Sequence, residues 1–348
     1  MATLAELFAA KVIAAYYTEA GSNRVPYLGE ALFPAKKKMG LGLRWIRSHS
    51  GLPVSLVASD FDSKTVIRAR EGFDVTETQM PFFREGISIR EADRQELLKA
   101  LELGDAYLNS VLSKLYGDAA NLIAGANVVN ERMRMQLLSS GKIELVDRKG
   151  GIIKYDYQFK GTHKTTLTST NKWDDDDAPI NSQIESWIET IENDTGERPS
   201  RAILTGVTLN YLKQNKEILA EIKPLAAAQV APIRTDTLID WFGDKFRIQL
   251  AVYNKMYANE VGGAGAKFFP DNVFTLIPAG ALGNQWFGTT PEEADLMASR
   301  NANVEIVDTG VAVTTYETSD PVNVNTKVSE ISLPSFEAAD KVFIATVA

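Results

Sequence analysis

Three stretches of this chain carry residue types that could do chemistry. Asp174–Asp177 is a run of four carboxylates, a donor type that suits a divalent cation. Gly262–Lys267 is rich in glycine and ends in a lysine, as phosphate-binding loops do. His49 and His163 are the only histidines and could serve as general bases. The spacing around each stretch decides whether that chemistry is available.

The spacing argues against both a metal site and a phosphate loop. The EF-hand pattern, with its central glycine and distant glutamate, is absent around the acidic run. The simpler interpretation is that Asp177 or a neighbour caps the following helix and meets its positive N-terminus. The glycine run lacks the GxxxxGK[ST] spacing, and Phe268 stands where a magnesium-binding hydroxyl should be. This run is therefore predicted to be a hairpin turn.

No catalytic centre follows from the other residues. The chain has no cysteine, which excludes disulfides, thiolate nucleophiles and cysteine metal sites. Neither GxSxG nor GxGxxG occurs, so the usual hydrolase and dinucleotide signatures are missing. His163 lies in a threonine-rich stretch and is predicted to be solvated. The sequence thus predicts no catalytic, cofactor-binding or metal-binding residue, and no enzyme.

The composition is that of an ordinary acidic, soluble chain. Its 348 residues are 45% hydrophobic and 24% charged, enough for two packed cores or for one core with extended arms. A net charge of −8 argues against a generic attraction for nucleic acid. Glu6 and Lys11 interrupt the N-terminal apolar residues, and no run of about 18 apolar residues occurs. Neither a signal peptide nor a membrane span is expected, and the chain is expected to be made in cytoplasm.

One long helix must organise the middle of the chain. Apolar residues recur at steps of three and four from Leu108 to Leu137 and predict a helix over residues 105–140. A continuous helix of this length would be about 54 Å long. Gly117 and Gly125 lie inside it and each costs about 1 kcal/mol relative to alanine. Two packed helices with a break at Gly117 are the alternative.

Shorter helices are predicted by capping and periodicity. An N-terminal helix, with Val12 on its apolar face, should end at Gly21. The sequence Ser88-x-x-Glu91 reads as a capping box that opens a second helix. The apolar residues of Ile180–Ile191 follow a helical repeat that Gly196 should end.

Strands are predicted between these helices, which gives an α+β fold. Residues 24–50 look irregular and residues 160–178 look turn-like. The clearest predicted strands are Lys142–Asp147, Ile152–Phe159, Ala202–Thr205, Phe246–Tyr253, Val273–Ile277, Val311–Thr315 and Lys341–Val347.

An extended arm is predicted between residues 51 and 90. Val54–Ala58 and Val75–Ile89 read as strands that flank a polar, charged tip. Strands of about 15 residues would reach about 50 Å, and an isolated two-stranded hairpin is at best marginally stable in water. Such an arm needs a partner surface, which favours assembly. The alternative is a two-stranded excursion on the same domain.

The stretch from residue 258 to residue 288 resembles the tailed-phage major capsid protein E family. The similar pattern is Lys267-Phe-Phe-Pro-Asp-Asn272, a short strand, and then Pro278-x-Gly-x-Leu-Gly283 before an aromatic residue and a glycine. Further segments resemble the family in the same order along the chain: Leu32–Pro34, Ile67–Asp74, Gly161–Asp174 and Asp340–Phe343.

The resemblance implies a Hong-Kong-97-type capsid fold of the α+β class. Its parts would be an N-terminal arm (1–50), an extended β-hairpin arm (51–90), a peripheral domain (91–177) with a spine helix near 105–140, an axial domain (178–300), return strands of the peripheral domain (301–330) and a C-terminal strand (331–348). The function it implies is that of a major capsid protein of a tailed phage or prophage, which assembles as hexamers and pentamers into an icosahedral shell around double-stranded DNA.

The resemblance also implies partners and contacts. The chain's main partner would be itself, and a separate scaffolding protein, a portal and a decoration protein are further expected partners. DNA would be enclosed without sequence-specific binding, and the protein would reside in the virion after assembly in bacterial cytoplasm. Contacts of the arm with a neighbouring subunit are expected at Lys64, Arg68, Arg70, Glu71 and Asp74.

The resemblance suggests roles for Lys64 and for the lysine cluster Lys36–Lys38. Some relatives join their subunits by Lys–Asn isopeptide bonds, and Lys64 is positioned for such a bond, but the lambda-like members manage without one and no cross-link is predicted. Lys36–Lys38, with Arg44 and Arg47, form the only dense basic cluster. Packaged DNA or an acidic scaffolding segment could meet this cluster; a solvated face or a contact with acidic residues of an adjacent subunit is favoured.

Three other functions compete with the capsid interpretation. An encapsulin-like nanocompartment shares the implied fold, but the long N-terminal segment argues against it. A soluble α+β hydrolase would need a convergent set of polar groups that the sequence does not offer. A tail-tube protein would be mostly β, which the long helix opposes.

Overall fold

The computed structural model describes residues 4–21, 24–46, 75–103, 105–147, 149–223, 233–260, 262–296, 302–320 and 322–348. The chain divides into two compact units. Unit 1 comprises Met1–Arg44, Glu77–Arg132 and Asn284–Ser335, and unit 2 comprises Trp45–Thr76, Met133–Gly283 and Phe336–Ala348.

The described residues form helices of very different lengths. In chain order they are α1 (Leu4–Leu7), α2 (Ala10–Gly21), α3 (Leu28–Leu32), α4 (Glu91–Leu103), α5 (Asp105–Ser140), α6 (Ile180–Thr195), α7 (Gly206–Gln214), α8 (Lys216–Ile222) and α9 (Thr235–Phe246). A π-helical turn spans Glu292–Leu296.

Most strands of the described residues are short. They are β1 (Ala35–Lys37), β2 (Gly42–Ile46), β3 (Val75–Gln79), β4 (Phe82–Ile89), β5 (Lys142–Val146), β6 (Ile152–Asp156), β7 (Lys164–Thr166), β8 (Arg201–Leu204), β9 (Gln249–Val252), β10 (Met256–Ala258), β11 (Gly265–Lys267), β12 (Val273–Ile277), β13 (Gln285–Phe287), β14 (Asn303–Val307), β15 (Val311–Ser319), β16 (Val322–Pro334) and β17 (Phe343–Thr346).

Unit 1 is built on a six-stranded sheet in which β16 is the shared strand. Its order is β1-β13-β16-β15-β14, and β4 also pairs with β16. Helices α2 and α5 cover this sheet, because Ile13, Ile123 and Val313 belong to one buried apolar cluster. A second cluster joins Phe8 to Leu97 of α4. Both clusters remove apolar side chains from water, which is the main stabilising contribution to such a fold.

Unit 2 is built on a five-stranded sheet with the order β7-β17-β12-β8-β9. All the apolar residues that predicted α6 are buried in its core. Trp187 stacks on Trp173 and Phe343, with ring centroids 5.9 and 5.4 Å apart. Gly196 ends α6 in the left-handed region at φ 71°, a conformation that favours glycine. This helix and its end are confirmed as predicted.

The long helix is continuous. Helix α5 runs from Asp105 to Ser140 over 36 residues, about 54 Å at 1.5 Å per residue. The alternative of two helices broken at Gly117 is therefore wrong. The boundary between the units falls inside this helix, between Arg132 and Met133.

Several local predictions need correction. The N-terminal helix breaks before Ala10, which shifts the buried face to Ile13, while Val12 is 38% exposed. Ser88 does not cap α4, because it lies in β4 and its hydroxyl bonds to Asn325; Asp93 accepts from the Arg90 N–H instead.

Two segments expected to be irregular or turn-like contain regular structure. Within 24–50, α3, β1 and β2 form, and β1 pairs in parallel with β13 of the same chain. Within 160–178, β7 pairs in parallel with β17. Both strands are only three residues long, and each depends on a partner far along the chain, which a local pattern does not reveal.

Candidate functional site

The residues expected to make arm contacts lie outside the described part of the chain. Lys64, Arg68, Arg70, Glu71 and Asp74 all fall between residues 47 and 74, so their contacts stay a prediction. Residues 82–89, the second half of the predicted arm strand, are among the described residues and form β4.

Strand β4 is part of the unit 1 sheet rather than part of a free arm. It pairs antiparallel with β16 from Phe82↔Ile331 to Ile89↔Val324. The predicted strand Val75–Ile89 is interrupted at Met80–Pro81 between β3 and β4, where proline cannot donate to a ladder. The expected reach of the arm is therefore shorter than a strand of about 15 residues would give.

The basic cluster is largely paired within its own chain. Lys37 forms an ion pair with Glu293, and Arg44 lies 3.4 Å from Glu77. The Lys36 amine lies 5.7 Å from the centre of the Trp286 ring. Lys38 is half-buried, while Arg47 lies outside the described residues. Exposed pairs of this kind contribute about 0–1 kcal/mol.

The acidic run does not cap α6, contrary to the prediction. Pro179 occupies the N-cap position of α6 without a side-chain hydrogen bond. Asp175 accepts from the Asp177 N–H at 2.9 Å, and the Asp177 carboxylate pairs with Lys216 at 2.7 Å. The run is therefore an acidic turn whose last carboxylate meets the first residue of α8.

The glycine-rich run is a hairpin turn, as predicted. Strands β10 and β11 pair antiparallel around it. The Lys267 amine, which a phosphate loop would offer to its ligand, instead donates to both carboxylate oxygens of Asp271 at 2.7 and 2.9 Å. Burial raises the pKa of Asp271, but hydrogen bonds from Lys267 and Thr205 outweigh it and leave the pKa below its usual value.

His163 is buried, so the prediction that it is solvated is wrong. Its ring has no exposed surface, and Nδ1 lies 3.2 Å from the Val342 carbonyl oxygen. Nε2 lies 2.9 Å from a carboxylate oxygen of Asp194, which also pairs with Lys160 at 3.3 Å. Both ring nitrogens thus face acceptors. Threonine-rich surroundings suggested solvent, yet the ring packs on Phe343.

Sequence reasoning missed two buried polar clusters of unit 1. Glu292 is 2% exposed and accepts from Lys327 at 2.6 Å and from the Ser329 hydroxyl at 2.9 Å. Asn130 of α5 donates to Glu330 and accepts from the Ser332 hydroxyl, at 3.1 and 2.7 Å. The one signal in the sequence is the polar alternation of β16, which reads equally as a solvated strand face.

The polar groups of both clusters already bond to side chains of the same unit, so neither cluster offers a free group for a reaction. In both, the carboxylates and amides are held by side chains of unit 1. A cavity of about 230 Å³ in unit 1 is lined by Arg90, Arg94 and Glu317 among others, and Arg94 is already paired with Glu91 at 3.0 Å. Among the described helices, none is both long enough and apolar enough to cross a membrane.

Comparison with known proteins identifies what this arrangement is similar to. A family model described as phage major capsid protein E matches residues 11–347. A solved structure described as a capsid protein of a prophage of Escherichia coli CFT073 covers 98% of this chain and 99% of its own, with 15% identity and a TM-score of 0.59. A phage-related protein from Bordetella bronchiseptica RB50 covers 97% of each chain, with 12% identity and a TM-score of 0.52. At these identities the two structures show a shared fold. A search of the curated proteins finds no match.

Proposed function

Because the chain belongs to the phage major capsid protein E family, and is therefore a structural subunit of a tailed phage or prophage rather than an enzyme, we propose that its copies assemble as hexamers and pentamers into an icosahedral head. The observation that carries this proposal is the family match over residues 11–347 of the 348. The α+β capsid fold predicted from the sequence is confirmed by the shared fold with the prophage protein. As a capsid protein, the chain is a component of the virion.

The elements suit the proposed parts of such a subunit. Residues 1–50 would be the N-terminal arm and 51–90 the extended arm, whose last strand, β4, belongs to the unit 1 sheet. Residues 91–177 and 301–330 would be the peripheral domain, 178–300 the axial domain and 331–348 the C-terminal strand. The continuous helix α5 would be the spine of the peripheral domain. Strands β8, β9 and β12 would belong to the axial domain, and β7 and β17 join their sheet from the segments before and after residues 178–300.

The charge of the chain supports enclosure of DNA without binding to it. At a net charge of −8, the subunit repels a polyanion more than it attracts it. A wall that does not hold DNA leaves the DNA free to enter and leave. Lys36 and Lys37, the exposed lysines of the basic cluster, already contact Trp286 and Glu293 of the same chain and do not reverse this balance.

The proposed arm contacts are charged and individually weak. Lys64, Arg68, Arg70, Glu71 and Asp74 would lie on a neighbouring subunit and set its register more than its affinity. Many copies acting together give a stable shell from weak contacts. A separate scaffolding protein, a portal and a decoration protein complete the proposed set of partners, and assembly would take place in bacterial cytoplasm.

The encapsulin-like alternative is less well supported. It shares the expectation of a closed shell, whereas the family match is to a phage capsid protein. The contents of the shell distinguish the two, since an encapsulin encloses enzymes and a phage head encloses DNA.

Negative-stain electron microscopy of the protein, alone and co-expressed with its neighbouring genes, tests the proposal. Closed shells tens of nanometres across are expected in at least the second case. Arg68→Glu with Arg70→Glu should reduce shell formation, whereas Lys99→Glu with Lys114→Glu, a pair of exposed cations on α4 and α5, should not. A monodisperse monomer or dimer of the unaltered chain under both conditions would contradict the proposal.

A further inference from the structure

Among the residues that the structure describes, the unit 2 sheet ends in two open edges. Its order β7-β17-β12-β8-β9 leaves β7 and β9 each with one paired neighbour. Both edge strands pair in parallel with that neighbour. An open edge presents unpaired peptide groups, and a protein either protects such an edge or uses it for pairing.

On β9 the residues that face outward can be named. The Gln249 N–H donates to the Ser200 carbonyl and the Tyr253 N–H to the Leu204 carbonyl, both at 2.9 Å. In a parallel ladder alternate residues point to the partner strand, so Leu250 and Val252 direct their peptide groups away from β8. Val252 is 37% exposed. Within the part of the chain that the structure describes, no strand pairs with this side of β9.

On β7 the same reasoning identifies Lys164 and Thr166. The Leu167 N–H donates to the Thr346 carbonyl at 2.9 Å, and Thr165 is opposite Ala345. The alternate residues Lys164 and Thr166 therefore point their peptide groups outward, and both are exposed. Across the described ranges, β17 is the one strand that pairs with β7.

The two edges carry opposite charge. Residues 160–172, around β7, contain three lysines and no carboxylate. Lys160 is paired with Asp194 of α6, which leaves Lys164 and Lys172 as the cations of this edge.

Helix α9 packs on β9 and presents Asp240 and Asp244, one turn apart and both exposed. Among the described residues neither aspartate has an ion pair. Asp240 and Asp244 line a shallow surface cavity of about 700 Å³. Arg247, just after α9, lines the same cavity, so the negative charge is confined to α9 itself.

We propose that this sheet continues from one copy of the chain to the next, with β9 of one copy pairing with β7 of its neighbour. The proposal rests on the proposed function, because it needs a ring of identical subunits. A contact between two different edges of one sheet is heterologous, and such contacts close into rings when the rotation permits. Main-chain bonds supply the affinity of an added strand, and the opposite charges select β7 over a second β9.

The absence of native cysteine allows a direct test. In a parallel pair, directly opposite residues carry their side chains on the same face, and only one of the two directs its peptide groups to the partner strand. Val252 would therefore lie opposite Thr165 or, in a second register, opposite Leu167. Thr165→Cys with Val252→Cys, and Leu167→Cys with Val252→Cys, are oxidised in assembled shells. Non-reducing electrophoresis should show covalent chains that stop at five and six subunits for at least one pair. Each single variant should remain monomeric. Dimers from Val252→Cys alone would indicate β9–β9 pairing and overturn the proposal.

A charge exchange tests the same contact without cysteine. Asp240→Lys with Asp244→Lys should lower the yield of shells at least tenfold, and adding Lys164→Glu with Lys172→Glu should restore it. Glu185→Lys with Glu189→Lys, an exposed pair one turn apart on α6, is the matched control and should leave the yield unchanged. Failure of the exchange to restore assembly, or an equal loss in the control, would contradict the inference.

The two proposals fail in different ways. If the unaltered chain forms no shells, the proposed function fails. If shells form and neither cysteine pair cross-links, the capsid function stands and the pairing of β9 with β7 is wrong.

Discussion

At the scale of single residues, ionisable groups of this protein act as internal ties. His163 connects the carbonyl of Val342, next to β17, with Asp194 on α6. Both ring nitrogens lie within hydrogen-bond distance of an oxygen atom, so the ring ties the two segments together through both of its nitrogens. Burial on its own would raise the pKa of Asp194, but hydrogen bonds from Lys160 and His163 outweigh it and leave the pKa below its usual value.

The first prediction concerns Asp194→Asn. A lowered carboxyl pKa stabilises the folded state fully above the usual value, and this stabilisation is lost as the pH falls through the folded pKa. The variant should be less stable at pH 7 by about 0.5–1 kcal/mol, a small value because Asp194 is 39% exposed. The two proteins should converge as the pH falls through the lowered pKa of Asp194. Thermal unfolding from pH 2 to pH 7 measures this.

Asp244→Asn is the control for that experiment, because Asp244 is exposed and removal of its charge breaks no ion pair of the described residues. Its unfolding curve should follow the unaltered chain at every pH. A loss of stability for Asp194→Asn that does not shrink anywhere between pH 7 and pH 2 would show that the carboxylate charge is not the cause.

The second prediction concerns the buried Glu292–Lys327 pair. The Glu292 side chain is 3% exposed and that of Lys327 20%, so Glu292→Gln leaves an ammonium with little water and a weaker partner. We expect a loss of about 2–4 kcal/mol, close to the cost of breaking a buried pair. Urea unfolding measures it.

A double variant separates charge from packing at this pair. Glu292→Leu with Lys327→Met removes both charges, and it should be more stable than Glu292→Gln, because an apolar pair of similar volume avoids the desolvation penalty. A double variant at least as damaging as the single one would mean that Ser329, which also bonds to Glu292, depends on the carboxylate.

At the scale of elements, sequence patterns predicted correctly the helices and turns that depend on residues close together in the chain. Helix α5 begins at Asp105 and ends at Ser140 as the apolar steps predict, and α6 ends where Gly196 allows a left-handed turn. The hairpin of β5 and β6 also follows its turn residues, since Asp147 accepts from the Gly151 N–H at 2.8 Å. In each case the signal and the structure lie within a few residues of each other.

Patterns failed where an element depends on distant partners. Strand β16 alternates polar and apolar residues, which suggests a solvated face, yet Glu330 and Ser332 are buried against Asn130 of α5. Strand β7 is three residues long and forms against β17. Buried polar groups are stable only with hydrogen-bond partners, and those partners lie roughly 180–200 residues away, so no window of sequence reveals them.

The third prediction concerns the glycines of α5. A Cβ built at Gly117 or Gly125 would meet nothing within 4 Å. Gly117→Ala and Gly125→Ala should each stabilise the protein by about 0.5–1 kcal/mol, because alanine loses less backbone entropy in a helix. Chemical denaturation of the unassembled chain measures the effect.

Gly310→Ala is the contrasting variant. A Cβ at Gly310 would lie 2.6 Å from the Phe287 Cβ, so this substitution should destabilise the protein by about 1–3 kcal/mol through overpacking. If Gly117→Ala also destabilises the protein, the helix of the folded chain bends at that glycine. Stabilised variants that assemble poorly would instead indicate that assembly requires the bend.

At the scale of the whole molecule, each unit draws on segments that are far apart in sequence. Unit 2 joins residues 133–283 with Phe336–Ala348. The last strand, β17, pairs with β12 on one side and β7 on the other. Phe343, Ala345 and Val347 add to the core of this unit. The sheet therefore cannot be completed until residues 343–346 have been made, roughly 180 residues after β7, and such non-local pairing slows folding.

The last prediction follows from this topology. A chain that ends after Ser335 lacks β17, so β7 loses the strand that pairs with it and β12 loses one of its two partners. We expect the amides of unit 2 to exchange with solvent far faster, while β4, β15 and β16 of unit 1 keep their protection, because each retains its paired strands. Hydrogen exchange measured by mass spectrometry resolves the two units. A chain without Ala348 alone is the control, since it keeps β17 whole.

Retained protection of β12 in the longer truncation would show that α6 and β8 hold this strand without β17. Equal loss of protection in both units would mean that the chain folds as one cooperative body, and the division into two units would then describe geometry without describing stability.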